Sequence, residues 1–150
     1  MRLTLYTDYS LRVLLYLAGK EDEVVTISDL ADFYKISRNH LVKVVHNLGL
    51  KGYILTTRGR NGGLRLAHPA KEILIGNVVR ATEPDLDLLE CFNPATDQCV
   101  ITRSCSLKSV LFNAQATFMG VLDQYTLADL SKAPKKTIAA FKSIPIVSGR

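Results

Sequence analysis

The 150-residue chain lacks any apolar run approaching the roughly 20 residues that a membrane-spanning helix needs. Its first residues, Met1-Arg2-Leu3-Thr4, lack the charged-then-apolar pattern of a secretory signal, so the expectation is a cytoplasmic protein without a membrane. Cysteine is scarce and odd in number: three residues cannot complete a disulfide framework within one chain. No CxxC pair is present, which argues against a closed four-ligand zinc site. There is no nucleotide-binding glycine pattern, no second cluster motif and no nucleophile–base constellation. These absences argue against an enzyme or an electron carrier. The length suits one compact domain, or a small domain with an appended helix.

The most informative absence is acidic. From Phe33 through Lys71 there is no Asp or Glu, while Lys35, Arg38, Lys43, Lys51, Arg58, Arg60, Arg65 and Lys71 occur with His40, His46 and His68. From Ala81 through Thr102 the sign inverts: Glu83, Asp85, Asp87, Glu90 and Asp97 occur without Lys or Arg. A formal net charge of +5 alone is a weak pointer to an anionic partner. Two solvated faces of opposite sign would be the bland explanation. Here, however, the basic block coincides with a helix–turn–helix–ribbon pattern.

That pattern is read from periodicity. Leu11, Leu14, Leu15 and Ala18 have helical spacing and place a helix over about residues 5 to 18, ended by Gly19. Thr26 or Ser28 can cap a short helix from Asp29 to Tyr34, and Ser37 a third with Leu41, Val44, Val45 and Leu48 inward. The turn Lys35-Ile36-Ser37 joins them as a helix-turn-helix. Tyr53–Arg58 and Leu64–Leu66 read as two strands around the glycine-rich tip Gly59-Arg60-Asn61-Gly62-Gly63, the wing of a winged helix. Ile73 to Thr82 forms another helix, ended by Glu83-Pro84. A long helix carries Leu107, Val110, Leu111, Ala114, Phe118, Val121, Leu122 and Tyr125 on one stripe, and Asp129 to Arg150 thins into a Lys/Pro-containing tail. The fold class is therefore mainly α with a small β-hairpin.

In the third helix Asn39, Lys43 and His46 lie opposite the apolar face, and Arg38 sits in its first turn, where such helices meet the major groove. Asn suits adenine and Arg or Lys suits guanine, while His46 is explained by solvation. Arg58, Arg60 and Asn61 at the hairpin tip suit a narrow minor groove. Ser28 and Thr26 could take a phosphate, although capping explains them.

Cys91, Cys99 and Cys105 form C-x7-C-x5-C in an irregular acidic segment where nothing apolar is expected to hide them. Clustered thiolates there suit a soft metal centre, an iron–sulfur cluster above zinc. Three thiolates need a fourth ligand, and spacing does not choose among Glu90, Asp97, His40, His46, His68 and Asp8.

Thr7-Asp8-Tyr9-Ser10-Leu11-Arg12, Ile36-Ser37-Arg38-Asn39-His40-Leu41-Val42-Lys43, Arg58-Gly59-Arg60-Asn61-Gly62-Gly63-Leu64-Arg65-Leu66, the cysteine spacing and the stretch Leu122 to Leu130 resemble NsrR. These are nitric-oxide-sensing iron–sulfur repressors among the Rrf-type winged-helix regulators. The resemblance covers about residues 1 to 132. It implies a homodimer whose long helices, here Ser106 to Tyr125, cross between subunits over a near-palindromic site in double-stranded DNA. It also implies one 4Fe–4S cluster per subunit on Cys91, Cys99 and Cys105, with 2Fe–2S as the alternative. The partner subunit's Asp8 is the implied fourth ligand, Arg12 lies near the cluster, and nitric oxide is the signal. His40, inside the matching motif, joins Ser28, Arg38, Asn39, Lys43, Arg58, Arg60 and Asn61 as the expected DNA contacts.

The expected organisation is a winged helix-turn-helix domain over 1–82, a cluster-binding loop over 83–105, a dimerisation helix over 106–132 and a tail over 133–150. Other readings are a regulator that senses iron, oxygen or cluster status, and a cluster-free regulator in which the cysteines are redox switches.

Overall fold

A computed structural model describes residues 2–20, 23–59 and 62–131. Helix α1 spans Leu5–Ala18. The Thr4 side chain caps it by accepting from the Thr7 amide at 3.2 Å, and Asp8 sits in the first turn where the helix dipole favours an acid. Val13, Leu14 and Leu17 make α1 the central element of the core.

Helix α2, Ile27–Tyr34, opens with a reciprocal capping box between Thr26 and Asp29, which settles the choice of cap in favour of Thr26 over Ser28. It ends on Lys35, whose φ of 56° and ψ of 37° place it in the left-handed region and turn the chain sharply into the next helix. Helix α3, Arg38–Leu50, begins after Ser37 as expected. The Ser37 side chain makes no capping bond, however, and only its carbonyl serves the helix, accepting from Leu41 at 3.2 Å.

Strands β1, Ile54–Thr57, and β2, Gly63–Leu66, pair antiparallel with Leu55 opposite Arg65 and Thr57 opposite Gly63. A bridge from Val25 to Leu64 ties the hairpin to the segment before α2. The predicted first strand is shorter at both ends, because Tyr53 and Arg58 lie outside the paired register.

Residues 70–72 form a 3-10 turn and helix α4 spans Ile75–Thr82, so the predicted helix starts two residues late. Ile73 is extended instead: its carbonyl accepts from Leu127, and the Ile75 amide donates to Tyr125. Helix α5, Ser106–Leu122, ends three residues before the predicted Tyr125. A turn follows, then a separate helix α6, Leu127–Ser131, within the stretch 106–132 expected as the dimerisation helix. Thr126 and Asp129 form its capping box, and fully buried Leu127 returns the chain to the core beside α1. The tail from 133 lies outside the described residues. At the α4–α5 junction Arg80 holds Asp123 through two contacts of 2.6 Å, passing beside Gly76, where a Cβ would collide with the Asp123 carboxylate.

Candidate nucleic-acid interface and thiol segment

The buried side of α3 consists of Leu41, Val44, Val45 and Leu48, which leaves Arg38, Asn39, His40, Val42, Lys43 and His46 exposed. One helix face is fixed by the core, so the other is presented outwards with little freedom. Arg38 donates from Nη1 to Ser28 Oγ at 3.3 Å, linking the first turns of α3 and α2. His40 lies on the flank of α3 nearest α1. Its ring stacks on Tyr9 at a centroid separation of 6.3 Å and an interplanar angle of 30°.

Arg58 is exposed just beyond β1. The turn after it uses Gly59 at φ 104°, whose carbonyl accepts from the Gly62 amide at 2.9 Å, and a Cβ on Gly62 would collide with the Thr57 carbonyl. Arg60 and Asn61, expected at the tip, lie outside the described residues. Arg65 is exposed on β2, beside buried Leu64. It belongs to the basic block, outside the expected DNA contacts, and the alternation Leu64-Arg65-Leu66 turns it outwards. Val42, an apolar side chain, is exposed on the same outer face of α3 as Asn39 and His46.

The second set of residues lies between α4 and α5. Cys91, Cys99 and Cys105 are all free thiols. The expectation that nothing apolar hides them fails at Cys91, which is 7% exposed. The 3-10 turn Glu90–Phe92 folds against α5 and brings the Phe92 ring to 6.2 Å from that of Phe112, so the thiol is carried inwards with it. Cys99 and Cys105 are half-buried, the latter at the N-cap of α5. Asp97 shapes the loop: its Oδ1 accepts from the Cys99 amide at 3.1 Å and from the Thr102 hydroxyl at 2.9 Å. Among the described residues no three His, Cys, Asp or Glu side chains converge closely enough to hold a metal ion within one protomer.

Asp8 and Arg12 lie on α1, one turn apart. Arg12 grips both carboxylate oxygens, Nη2 to Oδ2 at 2.7 Å and Nε to Oδ1 at 2.8 Å. Tyr34 of α2 packs beneath, donating its hydroxyl to the Arg12 carbonyl at 2.9 Å, with the guanidinium 6.0 Å from its ring centre. Burial pushes the Tyr34 phenol well above its ordinary value, so it is a donor throughout the physiological range.

Helix α5 presents Leu107, Val110, Ala114 and Val121, spaced by three, four and seven residues, on its exposed side; Leu107 and Val110 are 59% and 61% exposed. Leu111, Phe118, Met119 and Leu122 face the protomer's own core more closely. The stripe read as one apolar face is thus divided between an inner and an outer side.

The family model described as Rrf2, iron-dependent transcriptional regulator, matches residues 3–133. The chain is 53% identical over 131 residues to the HTH-type transcriptional regulator NsrR of Bacillus licheniformis, covering 87% of this chain and 92% of that one. It is 50% identical over 133 residues to NsrR of Bacillus subtilis, covering 88% and 91%. The crystal structure of oxidised Staphylococcus aureus CymR superposes with a TM-score of 0.72 at 26% identity, over 90% of this chain and 99% of that one. The helical fold with its antiparallel hairpin is therefore that expected from the sequence, and the chain belongs to the Rrf2 family, whose members here are transcriptional regulators and not enzymes.

Proposed function

We propose that the chain is a homodimeric DNA-binding repressor whose grip on an operator is set by an iron–sulfur cluster and released by nitric oxide. The observation that carries this reading is three free thiols on the segment feeding directly into a helix with an exposed apolar stripe. The stripe supports the dimer, since apolar side chains at this spacing gain from burial against a second copy.

The donor set suits an iron–sulfur cluster in its chemistry: the thiols are unpaired and share one segment. Because they do not converge within a protomer, ligation would require the segment to close. Cys91, Cys99 and Cys105 would hold the cluster, with the partner subunit's Asp8 as fourth ligand. A 4Fe–4S cluster, one per subunit, is the reading the family resemblance favours, and 2Fe–2S is the alternative. When bound, the cluster would supply iron that reacts with nitric oxide.

The rest belongs to the protein. Arg12 holds Asp8 when no metal competes, so it stands where it can yield or recapture the carboxylate. Asp8 and Tyr9 are neighbours on α1, and the Tyr9–His40 stack connects that turn to α3. A shift of α1 that follows gain or loss of the Asp8 bond would therefore reorient the side chains offered to DNA. Arg38, Asn39 and Lys43 would contact the major groove, and Arg58, Arg60 and Asn61 would track along the wing, with Ser28 at a phosphate.

The test is anaerobic purification followed by nitric oxide titration, with absorption, native mass and DNA affinity read together. A dimer containing four irons per subunit that loses operator affinity as nitric oxide is added supports the proposal. A colourless protein that binds DNA regardless of nitric oxide overturns the switch. A colourless protein whose affinity follows thiol oxidation selects the cluster-free redox reading.

A further inference from the structure

The outward surface of the first two turns of α3 contains one apolar side chain among polar ones. Val42 is 44% exposed, three residues after Asn39, adjacent to Lys43 and four residues before His46. Residues three and four apart on a helix are surface neighbours, so Val42 lies in the same row as Asn39 and His46. Helix stability does not account for it. A β-branched residue on an exposed helical site is locally poorer than alanine, and its exposed methyls gain little from water. The other exposed apolar residue on α3, Leu50, lies at the C-terminal end, away from the turns that enter a groove.

We propose that Val42 is a specificity-determining residue that packs against the C5-methyl group of a thymine in the operator. The major-groove edges of the bases carry hydrogen-bond donors and acceptors and one apolar group, the thymine methyl. The helix fixes the χ1 rotamer of valine, so its two methyls form a rigid surface that loses little freedom on contact. The neighbouring Asn39 side chain can pair with an adenine edge, which places an A·T pair within reach of the same turn of helix. The inference rests on α3 being the helix that enters the major groove.

The experiment uses the anaerobically purified 150-residue chain and a duplex that the wild-type protein has selected from random DNA. Each thymine is replaced in turn by uracil, which removes the methyl and leaves every hydrogen-bonding group in place. In the wild type, one replacement per half-site weakens binding about fourfold, from the loss of one buried methyl. In Val42→Ala, whose site is exposed and whose circular dichroism and Tm stay near wild type, that same replacement has no further effect. Asn39→Ala and Lys43→Ala serve as controls on the helix itself. If those controls lose affinity while Val42→Ala shows the wild-type uracil penalty, the thymine contact is wrong although α3 reads the groove. If none of the three variants alters binding, the assignment of α3 falls and the proposal falls with it. Equal weakening of selected and random DNA by Val42→Ala also overturns it, since that pattern is structural.

Discussion

Asp8 carries two roles at one atom group: it sits in the first turn of α1, where an acid suits the helix dipole, and it is held at both oxygens by Arg12. An exposed pair of this kind contributes little to stability, so its removal separates ligand chemistry from folding. Arg12→Ala is expected to leave the protein folded and to raise the rate or extent of cluster loading from iron and sulfide, because the competing cation is gone. Asp8→Ala is expected to lose a loaded cluster several-fold faster under air and to alter the nitric oxide response. Loading followed by absorption checks both. Identical loading and response in Asp8→Ala and the wild type would remove Asp8 from the ligand set. The sequence exposed Asp8 only through a motif resemblance, because a first-turn acid is what any helix favours. Cys91 shows the opposite gap: its type and spacing were plain, but its burial depends on Phe92 meeting Phe112 across the fold, which no local pattern records.

Among the elements, α1 and α3 were legible because their apolar residues keep helical spacing on one buried side. The end of α5 was not. Leu122 and Tyr125 prolong the apolar stripe, and this masked the Thr126-Leu127-Ala128-Asp129 capping box that starts α6, a signal of the same kind as Thr26–Asp29. The junction is instead fixed by Arg80, Asp123 and Gly76. The hydrogen bonds from Arg80 hold the Asp123 carboxyl below the usual carboxylate range. A depressed carboxylate stabilises the fold fully above its unfolded pKa, and that contribution is lost as pH falls through the lower folded value. Asp123→Asn should therefore lower Tm by a small, pH-independent amount from about pH 5 to 8, since the pair is exposed, with the gap to wild type closing in more acidic solution. Thermal melts of both proteins from pH 7 down to about pH 3 measure this; a gap that widens on acidification contradicts the assignment.

At the scale of the whole molecule, the basic and acidic stretches are separate along one chain, and in the proposed function they would take two tasks: α2, α3 and the hairpin would meet DNA, and the 83–105 segment would hold the cluster. What joins them in this structure is α1: its Thr4 cap donates to Glu83 at 2.8 Å, its Tyr9 stacks on His40 of α3, and it presents Asp8 and Arg12 to solvent. The second half of the sensor would come from another copy, and here the outer side of α5 decides the outcome. Val110→Glu puts a charge into the middle of the apolar stripe at a position already exposed in the protomer, so the isolated fold has no reason to fail. It is expected to convert the dimer to a monomer in sedimentation or light scattering while circular dichroism is retained. A lone protomer binds one half-site without its linked neighbour, so operator affinity should fall about 100-fold or more. Cluster retention should weaken in the same variant if the partner subunit's Asp8 closes the site. A dimer that persists with full operator affinity would place the subunit contact elsewhere on the surface. A monomer that keeps a stable cluster would leave the dimer standing on α5 and confine the ligand set to one chain.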